Sequence, residues 1–187
     1  MRVPHSDYTI FDHDIRRDNQ PVGTFLSSAN ALDEASWPSR ITPTKLLLVR
    51  SGFAPSDELD QPLWLPTPRA QWSKFAKHLE SICPESTQLV LWPRSTDVIS
   101  DSPSTLSFIR SNPKWKFLVD PASLITESMR RDVMEHVDRL IELMIAHDAC
   151  AGIIHPGENL ASPALSAFEK TAAARNLAWW RIESTTH

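Results

Sequence analysis

Short apolar runs alternate with amphipathic segments from residue 45 onward, and this alternation limits the fold more than any other feature of the chain. Within residues 116–159, one apolar run ends on Asp120, a helical stripe follows, and a second run ends on His155. Repeats of strand, helix and strand place the strands in parallel and the helices on the sheet faces. The pattern predicts five strands, at residues 45–49, 88–92, 116–119, 152–154 and 178–182.

The segments between these strands carry helix signals. Three dipeptides have the form of an N-cap followed by proline at the first helical position: Thr67-Pro68, Ser102-Pro103 and Ser162-Pro163. A fourth helix is predicted to start near residue 126 or 128 and to run to about residue 147. Its apolar stripe consists of Met129, Val133, Val137, Leu140, Ile141 and Met144.

These elements predict an α/β protein with a parallel-sheet (β/α) repeat, a truncated or distorted TIM-barrel-like fold in one domain. A complete barrel of this kind usually needs about 250 residues, and the chain has 187. Residues 1–44 are interpreted as an irregular N-terminal segment with weak strands at 8–11 and 23–26, and residues 45–187 as the barrel-like region. An open doubly wound sheet is the alternative.

Composition narrows the functional classes. The formal net charge of -4 gives no basic footprint for nucleic acid, and no apolar run approaches the roughly 20 residues of a membrane span. The chain starts without the apolar region of a signal peptide, and its two cysteines are unpatterned. We therefore expect a cytoplasmic protein without nucleic-acid or membrane partners.

Polar residues collect at the predicted carboxyl ends of the strands, where parallel α/β folds place ligand sites. The candidates are Arg50, Trp92, Arg94, Asp97, Asp120, His155, Glu158 and Glu183. Two carboxylates and an imidazole on neighbouring strands, those of Asp120, Glu183 and His155, can bind one divalent metal such as Mn²⁺, Mg²⁺, Co²⁺ or Zn²⁺. The alternative is structural: Asp120 caps a loop, His155 bonds to the backbone and Glu183 lies in a tail.

The other candidates divide into two groups. Arg94, Asp97 and Glu183 are the candidate catalytic residues, and Arg50, Trp92 and Glu158 the candidate ligand contacts. The triplet at residues 12–14 has the composition of a metal cluster but is interpreted as a polar loop. The Trp179-Trp180 pair is expected to place one ring inside the fold and the other under a helix.

Five motifs, in chain order LLLVRSG, QLVLWPRSTD, KFLVDPASL, GIIHPGEN and AWWRIES, carry a family resemblance. From residue 45 onward the chain resembles the xylose isomerase-like TIM barrels of the sugar phosphate isomerase/epimerase superfamily. In that family a Glu, Asp, His and Glu set binds one divalent metal, and the two Glu move the proton. The resemblance places Asp120, His155 and Glu183 at the last three ligand positions.

The chain departs from that family at two positions. Trp92 stands where the first metal-binding Glu is expected, and Arg50 replaces a substrate-side His. The resemblance therefore implies a relative with a degenerate metal site, non-catalytic or binding a small polyol or sugar-like ligand. One alternative is a metal-dependent sugar or sugar-phosphate isomerase or epimerase that uses Asp120, His155 and Glu183. The other is a homo-oligomeric interaction protein, since an incomplete barrel leaves sheet edges for a partner.

Overall fold

Eight strands close into a barrel in the computed structural model, which describes residues 8–54, 62–157, 160 and 162–183. The strands neighbour one another in chain order, and the last pairs with the first. Their bounds are β1 Tyr8–Phe11, β2 Asp14–Arg17, β3 Gln20–Phe25, β4 Leu46–Arg50, β5 Gln88–Trp92, β6 Trp115–Val119, β7 Cys150–Ile154 and β8 Ala178–Glu183.

The barrel is mixed, so the predicted parallel (β/α) repeat with a truncated or distorted TIM-like barrel is wrong. β2 runs antiparallel to both β1 and β3, whereas β3 through β8 are parallel to their neighbours and β8 is parallel to β1. Two tight turns make the hairpins. Asp12, Asp18 and Asn19 have φ of 51°, 49° and 61°, a left-handed region that Asp and Asn tolerate better than most residues.

The N-terminal segment supplies three of the eight strands. The weak strand predicted at residues 8–11 is confirmed as β1, and the one at 23–26 overlaps β3. β2 was not predicted, because its only apolar residue, the fully buried Ile15, is too little to form an apolar pattern. Since the sheet closes on itself, the open edges that suggested an oligomeric partner are absent from the described barrel.

The helices begin and end close to their predicted positions. Their bounds are α1 Pro66–Ile82, α2 Ser102–Ser111, α3 Pro121–Leu124, α4 Val133–Leu140 and α5 Ser162–Arg175, with 3-10 turns at Glu34–Ser36 and Glu127–Asp132. α1 starts at Pro66 after Leu65, which makes no side-chain cap, instead of at the predicted Thr67 cap. α2 is capped by Asp101 in place of Ser102, in a reciprocal capping box with Ser104. None of the described helices is long and apolar enough to cross a bilayer.

The segment after β6 is more divided than the single helix predicted there. It forms α3, the 3-10 turn, α4 and then a π-helical turn over Ile141–Ile145. α3 begins directly after Asp120, whose side chain caps it. The predicted stripe does face inward, with Val137, Leu140 and Met144 buried in the core.

Two apolar cores lie on the two sides of the barrel wall. The outer one joins strands to helices, and the inner one fills the barrel with Ile10, Ile15, Leu48, Val90, Trp92, Leu118, Ile154 and Trp180. Trp179 belongs to the outer core and Trp180 to the inner one, as the alternation of a strand predicts. Because large side chains fill the interior, a ligand has room at an end of the barrel and not along its axis.

Candidate functional site

The carboxyl ends of β4–β8 meet at one end of the barrel, which we call the mouth. Arg50, Trp92 and Glu183 are the last residues of β4, β5 and β8, and Asp120 and His155 directly follow β6 and β7. Because these strands are parallel, the structure brings five of the predicted site residues to the same end. Arg94 and Asp97 lie in the loop after β5, and Glu158 lies outside the described residues.

An ion pair joins the end of β4 to the loop that follows β5. Arg50 donates from Nε to Asp97 Oδ2 at 2.9 Å, and its Nη2 donates to Oδ1 of the same carboxylate. Asp97 is only 2% exposed. The Arg50 guanidinium also lies 4.4 Å from the centroid of the Phe53 ring. Both Asp97 oxygens are therefore engaged, so the structure gives this predicted catalytic carboxylate a structural partner.

Trp92 and Asp120 form the second polar contact of the mouth. The indole Nε1 donates to Asp120 Oδ2 at 3.0 Å, while Asp120 Oδ1 accepts from the Ser123 backbone N–H at 3.1 Å and caps α3. Burial raises the pKa of Asp120, and the bonds from Trp92 and Ser123 and the charge of Arg94 oppose that rise. Trp92 stands at the position where the resemblance leads one to expect a metal-binding Glu, and it donates a hydrogen bond that holds Asp120 in place.

Arg94 is the second guanidinium group of the mouth. Its guanidinium lies 5.3 Å from the Trp92 ring centroid, and its charge acts on Asp120. Its Nε is buried and has no hydrogen-bond partner among the described residues. Buried donors are nearly always paired, and an unpaired one costs about 1–3 kcal/mol. A ligand oxygen that accepted this hydrogen would remove that cost.

His155 and Glu183 do not join Asp120 in a metal cluster. His155 Nδ1 accepts from the Gly157 backbone N–H at 3.1 Å, and its ring lies 5.6 Å from that of Trp179. Glu183 is exposed and pairs with Phe11 in the β1–β8 ladder. Within the described part of the chain, no group of three or more His, Cys, Asp or Glu could hold a metal ion. The described geometry therefore does not fit the metal that the resemblance implies.

The surroundings of His155 lead to a pH-dependence prediction. Burial lowers its pKa below the ordinary 6.5, the nearby Arg181 lowers it further, and Glu169 opposes the shift. Between the folded and unfolded pKa values the unfolded chain binds the proton more readily, so stability falls as the pH drops below about 6.5. We expect His155→Gln to lose less stability than the wild type between about pH 7.5 and about pH 5 in urea titrations.

The control is the comparison of His155→Gln with the wild type at about pH 7.5, above the ordinary pKa of histidine, where any difference in stability comes from the substitution itself and not from the proton. An equal loss in His155→Gln and the wild type would contradict the assigned surroundings of His155.

Several residues at the mouth were not identified from the sequence. The Asn30 side chain donates to Phe53 O at 2.7 Å and accepts from Phe53 N at 3.2 Å, and Ser51 Oγ accepts from Ile99 N at 2.8 Å. These bonds fasten the loops after β3, β4 and β5 to one another. Phe25 lies 5.5 Å from Trp92, ring to ring. A Gly two residues after a strand was the one local signal, since Gly52 has φ of 99° and permits the turn that leads to Phe53.

The predicted polar triplet at residues 12–14 also reaches the mouth, through the β1–β2 turn. His13 lies there with its Nδ1 2.6 Å from Ser27 Oγ, at the start of the loop that follows β3. Ile182 of β8 is 48% exposed at the same end. The mouth therefore combines guanidinium groups, carboxylates and imidazoles with an apolar edge.

Comparisons of the chain with protein-family models, with curated proteins and with solved structures give no match. The resemblance to xylose isomerase-like proteins thus rests on its short motifs alone, and the function has to be inferred from the geometry of the mouth.

Proposed function

We propose that the protein binds a small neutral polyol or sugar-like ligand at the mouth without converting it. The observation that carries this proposal is the buried and unpaired Nε of Arg94, beside Trp92 and Asp120. Ligand sites combine apolar and aromatic walls with a few polar groups that fix orientation. The mouth has both components.

The balance of charge favours a neutral ligand over an anionic one. Arg50 is neutralised by the buried Asp97 carboxylate, and the charge of Arg94 acts on Asp120. Hydroxyl groups can accept from Arg94 and donate to the remaining lone pairs of Asp120. The partly exposed ring of Phe53 offers apolar surface to the carbon skeleton of such a ligand.

The engagement of the carboxylates favours binding over catalysis. A general base must reach the proton that it removes, with a lone pair free to take it. Asp97 faces Arg50 with both oxygens. Trp92 itself replaces the acid/base Glu that the resemblance leads one to expect. These contacts hold the mouth in one geometry, which suits recognition.

The test is a binding screen with neutral pentoses, hexoses and alditols, set against the corresponding sugar phosphates. A neutral ligand should raise the apparent stability in thermal unfolding by about 2.7 kcal/mol at a hundredfold excess over its Kd. Arg94→Gln should weaken binding at least about tenfold, since it removes the unpaired donor. Arg110→Gln, an exposed change on α2, is the matched control and should leave binding unchanged.

Three results would reject the proposal. Binding of phosphates alone would assign the mouth to anions, and no binding by any compound would remove the ligand. Isomerised product that needs a divalent metal and disappears in Asp120→Asn would establish the isomerase alternative instead.

A further inference from the structure

A pocket of about 460 Å³ opens beside the mouth on the outer side of the barrel. It lies between the loop after β5, the segment after α3 and the exposed side of α4. Small-molecule sites in proteins generally measure about 300–1,000 Å³. The pocket is therefore large enough for a ligand of its own, and none of the mouth residues described above contributes to its lining.

The pocket wall is mainly apolar. Leu124, Ile125 and Leu140 line it and are each 7% exposed. Leu143 extends this wall outward and remains 38% exposed. An alkyl or aromatic group that covered this apolar surface would remove it from water, which favours binding.

The turn that presents Leu143 is not regular α-helix. The chain forms a π-helical turn over Ile141–Ile145, in which the Ala146 N–H bonds to Ile141 O at 2.9 Å. Such turns contain an extra residue and are frequent at functional sites, because they re-aim side chains. Here the turn lies against the pocket, and Leu140 and Leu143 on either side of its start both line it.

Two basic side chains stand on one side of the pocket. His136 and Arg139 lie one turn apart on α4, and both line the pocket. The acidic residue of the lining, Asp101, already accepts from Ser104 N at 2.7 Å as the cap of α2. Within the described residues, no hydrogen bond or ion pair engages the side chain of Arg139. In a chain of net charge -4, this places a positive group at the end of an apolar pocket.

From this arrangement we infer that the pocket binds an amphipathic carboxylate of the medium-chain alkyl type. The alkyl body lies against Leu140 and Leu143, and the carboxylate pairs with Arg139, with His136 beside it. Arginine suits this role because its guanidinium donates two parallel hydrogen bonds to a carboxylate. The inference is independent of the ligand proposed for the mouth.

The test is calorimetric titration of the full chain with decanoate, with decanol and with acetate. Decanoate should bind saturably and at least about tenfold more tightly than either of the other two, because only decanoate carries both the alkyl chain and the charge. Arg139→Gln should weaken decanoate binding at least about tenfold, and Leu143→Asp should abolish it by placing a charged group against the alkyl chain. Both positions are exposed, so both variants should fold, which circular dichroism checks.

Arg110→Gln is the control for loss of a positive charge elsewhere and should bind decanoate as the wild type does. Equal binding of decanol and decanoate would overturn the role of the charge. Wild-type affinity in Arg139→Gln would place any bound decanoate elsewhere, and the absence of saturable binding would remove the site.

Discussion

Replacing Gly152 with alanine is expected to lower the free energy of unfolding by at least about 2 kcal/mol. A Cβ at this position would lie 2.6 Å from the carbonyl oxygen of Ala178 and 2.5 Å from Nε1 of Trp180. Ala178 is the direct partner of Gly152 on β8, so the first contact is with backbone that the ladder holds in place. The second contact is with a ring 1% exposed in the inner core. Relief requires either that β7 and β8 separate or that Trp180 leaves its position.

Urea unfolding of the purified variant measures this loss, and tryptophan fluorescence reports any displacement of Trp180. Gly157→Ala is the matched control, since a Cβ there meets nothing within 4 Å and the cost is confined to its φ of +62°. That cost should be about 1 kcal/mol. If Gly152→Ala were no more destabilising than Gly157→Ala, β7 and β8 could not be packed as closely as described.

The same contact explains how so small a barrel is filled. The indole of Trp180 occupies the space that a side chain at position 152 would need, and the ring of Tyr8 stacks on it at 4.4 Å. A residue without a side chain on β7 thus accommodates one of the largest residues from β8. Gly152 and Trp180 both lie in strands that the sequence pattern predicts, but the pattern does not reveal that the two residues are in contact.

The five strands of the parallel half were predictable because each is a nearly continuous apolar run. A strand covered on both faces, by the inner and outer cores, needs apolar residues at successive positions. β2 offers no such signal: in Asp14–Arg17 only Ile15 points into the barrel, and the other three residues are charged. Its hairpins also lack the Asn-Gly or Asp-Gly turns that usually mark them, since Asp18-Asn19 forms one turn. The mixed, closed barrel was therefore not evident from the sequence.

The location of the candidate site was predictable, whereas its contacts were not. Parallel strand ends converge, so residues such as Arg50, Trp92 and Asp120 had to meet at one end of the barrel. Their partners lie far away in sequence: Asp97 is 47 residues from Arg50, and Asp120 is 28 residues from Trp92. The predicted metal ligands do not come together in the described structure. Asp120 accepts hydrogen bonds from Trp92 and from the first turn of α3, and His155 accepts one from Gly157.

Replacing Arg50 with alanine is expected to cost about 3–5 kcal/mol of stability, because it leaves the buried Asp97 carboxylate without its cation. The reverse change, Asp97→Ala, should cost less. The Arg50 side chain is 17% exposed and that of Asp97 not at all, so an unpaired guanidinium can reach water more easily than an unpaired carboxylate. Arg50→Lys should recover only part of the loss, since an ammonium cannot reproduce the two-pronged contact.

A double-mutant cycle measured by urea unfolding separates the interaction energy of Arg50 and Asp97 from the contribution of each side chain alone. The double variant Arg50→Ala, Asp97→Ala should be more stable than Arg50→Ala alone, because removing the carboxylate also removes its desolvation cost. The loss in Arg50→Ala should persist at about 1 M salt, where an exposed pair would be screened. A loss below about 1 kcal/mol would mean that the pair behaves as a surface contact. The pair fastens the loop after β5, which carries Arg94, to the end of β4. With the expected loss of stability, Arg50→Ala should therefore weaken the polyol binding proposed for the mouth even though Arg94 is unchanged. If the loss is small, that binding should not depend on the pair.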